Sequence, residues 1–449
     1  MGSRVRCGLV RHGIVRRAVV SAVAAVAACL MSTSAAQAQA QCQCQGGTLY
    51  AWGDNSCGQL GDGTDVQRDL PMPVMLNGEP FSGVTSIAAG TTFTMIVQDG
   101  EIWTWGDNTS GQLGDGTELP RNLPVQVMLN GAFFSGVSAV AAGGSSSFAI
   151  DTSGQLWAWG SNSSGQLGTG SSGNWRMTPQ QVVFGVGDVK AVASGRNYCL
   201  AIQSDGQIWA WGNNANGQLG DGTHVSCAWP EQVTLGNGDP LGGVSAVAVG
   251  NAYSVAICGA DGEVWSWGNN TNGQLGIGTS GGESCEPVQV QVMQSGELVP
   301  FLGVTSIAAE GNATLAVKDG QVWGWGENFG ETPAELFADE LTDIVEVAIG
   351  FRLDGETGQD DYSYFALSAD GTLYAWGDNF FGQLGLGTTD AMILEPQEVG
   401  DGFVTIAISG THVLAIRDVS GGMMHAPEPG SLCLLTLGIT NLLTRRRKK

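Results

Sequence analysis

Val84-TSIAAGTTFTMIVQDGEIWTW-Gly106 packs three short apolar segments and two turn signals into 23 residues. The Val/Ile segment stops at Gly90. An alternating apolar run, Phe93 to Val97, then meets Asp99-Gly100, and a second alternating run, Ile102 to Trp105, follows. Alternation at period two marks strands with one face buried, and Asp-Gly between two such runs predicts a type I′ hairpin, because both central residues need positive φ. The signal recurs at Asp205-Gly206, Asp261-Gly262, Asp319-Gly320 and Asp370-Gly371, with Ser153-Gly154 as a variant. The stretch therefore reads as the inner strands of a small antiparallel sheet that the chain builds repeatedly.

The repeat is punctuated by Trp-Gly-x-Asn, at Trp52, Trp105, Trp159, Trp211, Trp267, Trp325 and Trp376, at intervals of 53, 54, 52, 56, 58 and 51 residues. Six copies continue as Gly-Gln-Leu-Gly; the Trp325 copy reads WGENFGETP instead. Each copy also carries Pro-x-x-Val/Leu, from Pro71/Val74 to Pro396/Val399. Proline cannot donate to a ladder, so a proline-headed outermost strand with a protected edge is expected in each unit. The first copy, GTLYAWG, lacks the strands that should precede it, and the last segment, Phe403 to Ile416, lacks the hairpin and Trp-Gly that should follow. The two halves complete one unit, which predicts an all-β ring of seven blades over 47–417, closed by pairing N- and C-terminal strands.

W-G-x-N-x-x-G-Q-L-G after an A-x-G…D-G-x-h-W segment resembles the repeat of the RCC1 (regulator of chromosome condensation) family, whose fold is a seven-bladed β-propeller. Founding members of that family are nuclear guanine-nucleotide exchange factors. Export signals, an acidic body and the lack of a chromatin-binding tail oppose carrying that activity over. The repeat class also includes a secreted bacterial β-lactamase-inhibitor propeller, which implies that one face can bind a protein, although none of its contact residues is matched here.

Both ends read as sorting segments. Residues 1–40 form a signal peptide, with Arg4, Arg6, Arg11, Arg16 and Arg17 before the apolar Ala18 to Leu30 and cleavage expected after Ala38 or Ala40. Val26-Ala27-Ala28-Cys29 is the alternative, resembling a lipoprotein box with Cys29 as the acylated end. At 426–449, Pro427-Glu428-Pro429 precedes an apolar stretch and Arg445 to Lys449. That order resembles the PEP-CTERM signal of exported bacterial proteins, which implies exosortase-type machinery, transient membrane anchoring and a final place in the cell envelope, on the surface or outside.

The chain carries 18 basic and 42 acidic side chains, but ten of the basic ones lie in these two segments, leaving a body of charge near −34 over 41–444. Such a body repels phosphate backbones, which excludes nucleic acid as a partner. Seven body cysteines, Cys42, Cys44, Cys57, Cys199, Cys227, Cys258 and Cys285, suit an oxidising compartment and are candidate disulfide partners. Cys57 occurs in no other copy and lies near Cys42 and Cys44 in the chain, so a bond pinning the leader to the closing blade is expected, to be tested by mass mapping of the non-reduced protein.

The repeated loop is not chemistry. Asp54 is Asp in only three copies and no closing Glu follows at calcium-loop spacing, nor does a phosphate-loop lysine. The invariant Trp, Gly and Asn serve turns and packing. Informative positions are those where copies differ: the sixth copy, Trp325 to Phe337; the insert 351–364, with Asp354, Glu356, Asp360 and Asp361 beside Tyr362 and Tyr364; and loops with Trp175 and Trp229, for which packing on Pro179 and Pro230 is the plainer account. His224 and His412 form no triad or metal cluster. The expectation is a monomeric, exported, non-catalytic scaffold without a cofactor, binding a protein or envelope component. The alternative is a carbohydrate-active or lyase-like propeller enzyme using the acidic insert with a metal.

Overall fold

A computed structural model describes residues 47–183, 188–353, 360–390 and 392–418. The leader, Cys42, Cys44, Asp354, Glu356 and the sorting motif Pro427-Glu428-Pro429 lie outside the described residues. Every described element longer than a turn is a strand. Seven four-stranded antiparallel sheets form the blades, numbered by their Trp-Gly copy. Blade two is the pattern: Val84–Ala89 inside, then Phe93–Gln98, Glu101–Gly106 and, outermost, Arg121–Gln126. The inner strands of successive blades adjoin, and Phe403–Ser409 of blade one returns to Val84–Ala89 of blade two. The ring of seven is closed.

Closure occurs as the sequence predicts. Thr48–Gly53 pairs with His412–Arg417 over six residues, from Thr48 opposite Arg417 to Gly53 opposite His412. Blade one thus takes two strands from each end of the chain.

The core lies between blades. One cluster joins Leu49, Ala51 and Leu414 of blade one to Ile87, Ile96 and Trp105 of blade two, and equivalent clusters follow round the ring. Trp52, Trp105, Trp159, Trp211, Trp267 and Trp325 are wholly buried. Each donates its indole N–H to the main-chain carbonyl of the Gln in the preceding blade's Gln-Leu-Gly: Trp105 to Gln59, Trp159 to Gln112, and so on to Trp52 and Gln383, at 2.7–3.0 Å. A Cβ on Gly61 would lie 2.6 Å from Trp105 Nε1, at a φ of +72°, so only glycine lets the loop lie on the indole. The Asn of each full copy accepts the Leu N–H of the same loop, as Leu60 N–H to Asn55 Oδ1 at 2.9 Å. Invariant residues are thereby accounted for as loop and interblade architecture.

Two expectations are corrected. The proline does not head the outer strand: Pro124 is the fourth residue of Arg121–Gln126. Between Thr104–Val125 and Gly106–Arg121 the register jumps, and Pro124 falls inside that bulge; the same holds at Pro71, Pro179, Pro230, Pro287, Pro333 and Pro396. A bulge frees the residue from donating to the ladder, which is why proline is tolerated mid-strand. The type I′ turn occurs at Asp99-Gly100 and Asp319-Gly320, where both φ are positive. At Gly154, Gly206 and Gly371 only the glycine is left-handed, and three residues separate the closing pairs Asp151–Gln155, Gln203–Gln207 and Ser368–Thr372. The longer loop uses a type I turn plus one positive-φ residue.

Candidate interaction site at the seam of blades six and seven

Two departures in the sequence meet in space. The sixth copy has lost Gln-Leu-Gly, so blade six has no Gln carbonyl to offer Trp376 of blade seven. The insert after Gly350, in turn, lengthens blade seven's inner hairpin: Ile344–Leu353 pairs with Asp360–Ser368, placing Phe351 opposite Tyr362 and Arg352 opposite Asp361. Tyr362 on the added length, and Tyr364 in the column that holds Thr94 in blade two, bring aromatic rings to Trp376 where the loop is missing. Tyr362 stacks on Tyr364 at 5.9 Å and 4°, Tyr364 stacks on Trp376 at 5.6 Å and 27°, and Phe337 meets Trp376 edge-on at 5.5 Å. Phe329 adds a tilted contact to Tyr364 at 5.2 Å. An aromatic ladder seals this junction in place of a loop.

Polar groups rim the ladder. Glu327, in the slot of Asp54, accepts from Tyr362 Oη at 2.8 Å and Asn312 Nδ2 at 3.1 Å, and Asn328 Nδ2 donates to Tyr364 Oη at 3.2 Å. Burial, together with the neighbouring Glu327, pushes the Tyr362 phenol up, so it stays a donor. Arg352 forms an ion pair with Asp361 and reaches Asp378 Oδ2 at 3.4 Å, with its guanidinium 5.3 Å from the Phe380 ring centre and 5.7 Å from that of Phe381.

Three further breaks in the repeat were not singled out from sequence, though aligning the copies exposes them. Phe380-Phe381 replaces pairs such as Ser56-Cys57 and Thr109-Ser110, and Phe380 is 56% exposed. Glu310 ends its inner strand where five other blades have glycine (Gly90, Gly143, Gly195, Gly250, Gly350) and blade one has Ser409. Arg196, on blade four, stands over the Phe351 ring at 5.8 Å. Charge is uneven between blades six and seven and the rest of the ring. Residues 310–401 hold 19 acidic side chains against two basic, whereas 47–309 hold 21 against five.

Burial raises the Glu310 carboxyl to about 7, against the pull of Arg196. Because the folded state holds this proton more tightly than the unfolded chain, whose carboxyl titrates near 4.5, stability falls as pH rises from about 4.5 to about 7 and then levels. Glu310→Gln is expected to flatten that fall. Denaturant midpoints at pH 5 and pH 8 check it, and an unchanged difference between the two pH values in the variant would refute the assignment.

The other sequence candidates are not brought here. Trp175 is 48% exposed and donates to Glu118 Oε1 at 2.8 Å, while Trp229, 53% exposed, lies flat on Gly170 of the preceding blade, where a Cβ would be 1.9 Å from the ring. Both side chains thus contact the neighbouring blade. Of the insert's acidic residues that are described, Asp360 pairs in the strand opposite Leu353 and Asp361 is neutralised by Arg352.

Cys57, Cys199, Cys227, Cys258 and Cys285 form no disulfide with one another, and the expected bond from Cys57 to Cys42 or Cys44 lies outside the described residues. Cys199 and Cys258 fill apolar space between blades, and burial pushes the Cys258 thiol up to about 12. His412 is wholly buried, 3.2 Å from Thr94 Oγ1, and burial holds it neutral down to about pH 4. His224 pairs with Glu283 at 2.8 Å. Among the described residues no group of three or more His, Cys, Asp or Glu is placed to hold a metal.

A family described as RCC1-like domain matches residues 16–336, and the regulator of chromosome condensation (RCC1) repeat matches 370–416. The ultraviolet-B receptor UVR8 of Arabidopsis thaliana is 28% identical over 359 residues, covering 76% of this chain and 75% of that protein. The E3 ubiquitin-protein ligase HERC2 of Homo sapiens is 27% identical over 408 residues, covering 85% of this chain but only 8% of that protein. Among solved structures, human WBSCR16 superposes with a TM-score of 0.67 at 22% identity, over 83% of this chain and 99% of that one. Prp20p from Saccharomyces cerevisiae gives 0.67 at 20% identity, over 88% and 94%. At such identities the structures establish the fold alone.

Proposed function

The chain belongs to the RCC1-like domain family, and we propose that it works as an exported, non-catalytic interaction scaffold whose contact face is the seam of blades six and seven. The observation that carries this reading is the coincidence of the lost loop, the lengthened hairpin and the exposed Phe380 at one junction, in the two blades whose sequence carries half the body's net negative charge. Exposed aromatic side chains within a polar rim are the usual anatomy of a protein contact. The relatives bear names as different as a light receptor and a ubiquitin ligase, so the fold by itself assigns no activity. Export rests on the signal peptide read at 1–40 and the sorting signal at 426–449, which would use exosortase-type machinery and a transient membrane anchor; the body would act as a monomer and avoid nucleic acid.

The test is capture from the cell envelope with the mature protein as bait, beside Phe380→Ser with Phe381→Ser. A reproducible partner that the double variant fails to retain is expected. Failure to capture any partner, or equal retention by the variant, would remove the proposal.

A further inference from the structure

At six of the seven junctions the loop of one blade bonds to the outer strand of the next. Gly63 N–H reaches Asn122 O at 2.9 Å, Gly170 N–H reaches Ala228 O at 2.8 Å, and Gly387 N–H reaches Asp69 O at 2.7 Å, with Gly116, Gly222 and Gly278 making the equivalent bonds. Some outer strands gain a second cover. The ribbon Met128–Leu129 with Ala132–Phe133 lies beside Arg176–Gln181, and Gln291–Gln294 with Glu297–Pro300 lies beside Gly330–Leu336. Blade seven's outer strand, Met392–Gly400, receives neither. The sixth copy has no such loop, and the linker after blade six's outer strand, 337–343, adds no strand pair.

This uncovered strand is also the longest of its class, nine residues against six or seven in the other blades. A shallow groove of about 700 Å³ runs along it, lined among others by Leu386, Met392, Leu394, Glu395 and Glu398. Leu394 is 78% exposed, against 52% for Leu70 and 53% for Leu123 on the covered outer strands. An outermost strand offers unpaired N–H and C=O groups along its free edge, here on either side of the bulge at Pro396, whose carbonyl accepts from Gln397 Nε2 at 3.0 Å. Here apolar and acidic side chains line that edge, within a region carrying 19 acidic against two basic residues.

We propose that the free edge of Met392–Gly400 takes up an extended segment of a partner protein as a fifth strand, the segment alternating basic and apolar residues. Backbone pairing supplies the affinity, the alternate apolar side chains rest on Met392 and Leu394, and the basic ones meet Glu395 and Glu398. The inference rests on the scaffold reading and names its docking edge and partner chemistry.

The test uses the mature protein and a nonapeptide alternating Lys and Val, with two controls: two valines replaced by proline, and every Lys replaced by Glu. The Lys–Val peptide is expected to slow amide exchange within 392–400. Proline, which cannot donate to a ladder, should weaken binding about ten-fold, and Leu394→Lys with Glu398→Lys should weaken it about as much. Equal binding of the proline peptide would mean charge attraction alone and overturn the proposal, as would protection confined to any other strand. If envelope capture succeeds while the Lys–Val peptide gives no protection at 392–400, the scaffold reading stands and this docking edge falls.

Discussion

Deleting residues 47–53 is expected to abolish cooperative folding of the ring. That segment is the third strand of blade one, paired along its whole length with His412–Arg417, and it buries Leu49, Ala51 and Trp52. Removing a buried Trp alone costs about 3–5 kcal/mol. Adding Leu49, the lost ladder and the orphaned Gln383 carbonyl brings the loss into the range of a whole domain's stability, about 5–15 kcal/mol. The truncated chain would also expose His412–Arg417 as an open edge, inviting association. Circular-dichroism melting with size-exclusion chromatography measures both effects, and a sharp monomeric transition in the truncated protein would contradict the account.

The second large effect separates one tryptophan from its six counterparts. Trp105→Ala should destabilise by about 3–5 kcal/mol, as expected for a large ring removed from a packed core. Trp105→Phe keeps much of the packing and leaves the Gln59 carbonyl its second donor, Thr94 Oγ1 at 2.8 Å, so the lost indole bond adds about 0.5–1.5 kcal/mol to the packing loss. Trp376 has no Gln carbonyl from blade six and is held by Tyr364 and Phe337 instead, so Trp376→Phe should cost less than about 1.5 kcal/mol. Urea unfolding of the two Phe variants side by side decides the matter. Equal losses would mean that the indole N–H bonds do not hold the blades together.

The ring was legible because its signals are local and repeated. Asp-Gly between alternating runs, the Trp-Gly-x-Asn period and the two unmatched ends are all properties of short windows, and together they specify blade number and closure. The bulges around the prolines were not, since a register jump opposite Trp105 depends on the partner strand rather than on Pro124's own neighbours. The site was half legible. The sixth copy and the insert after Gly350 stand out as departures, yet nothing in the sequence says that one fills the other's gap. That relation needs the neighbouring blades brought face to face, so Tyr362 and Tyr364 read as loop aromatics although both are buried. Glu310 and Phe380 were readable by aligning the copies column by column, where Glu310 stands against five glycines and Ser409, and Phe380 against five small residues and Phe329.

The cross-strand pair Thr48–Arg417 places the two exits of the ring side by side at one corner, in blade one next to blade seven. A linker at either exit would therefore leave the ring at the same corner. It also means that the order of blades around the axis, and not the place where the chain begins, is what the fold encodes. Joining Gly47 to Asp418 through a short linker and cutting at the exposed Asn237 turn would circularly permute the protein and leave every interblade contact in place.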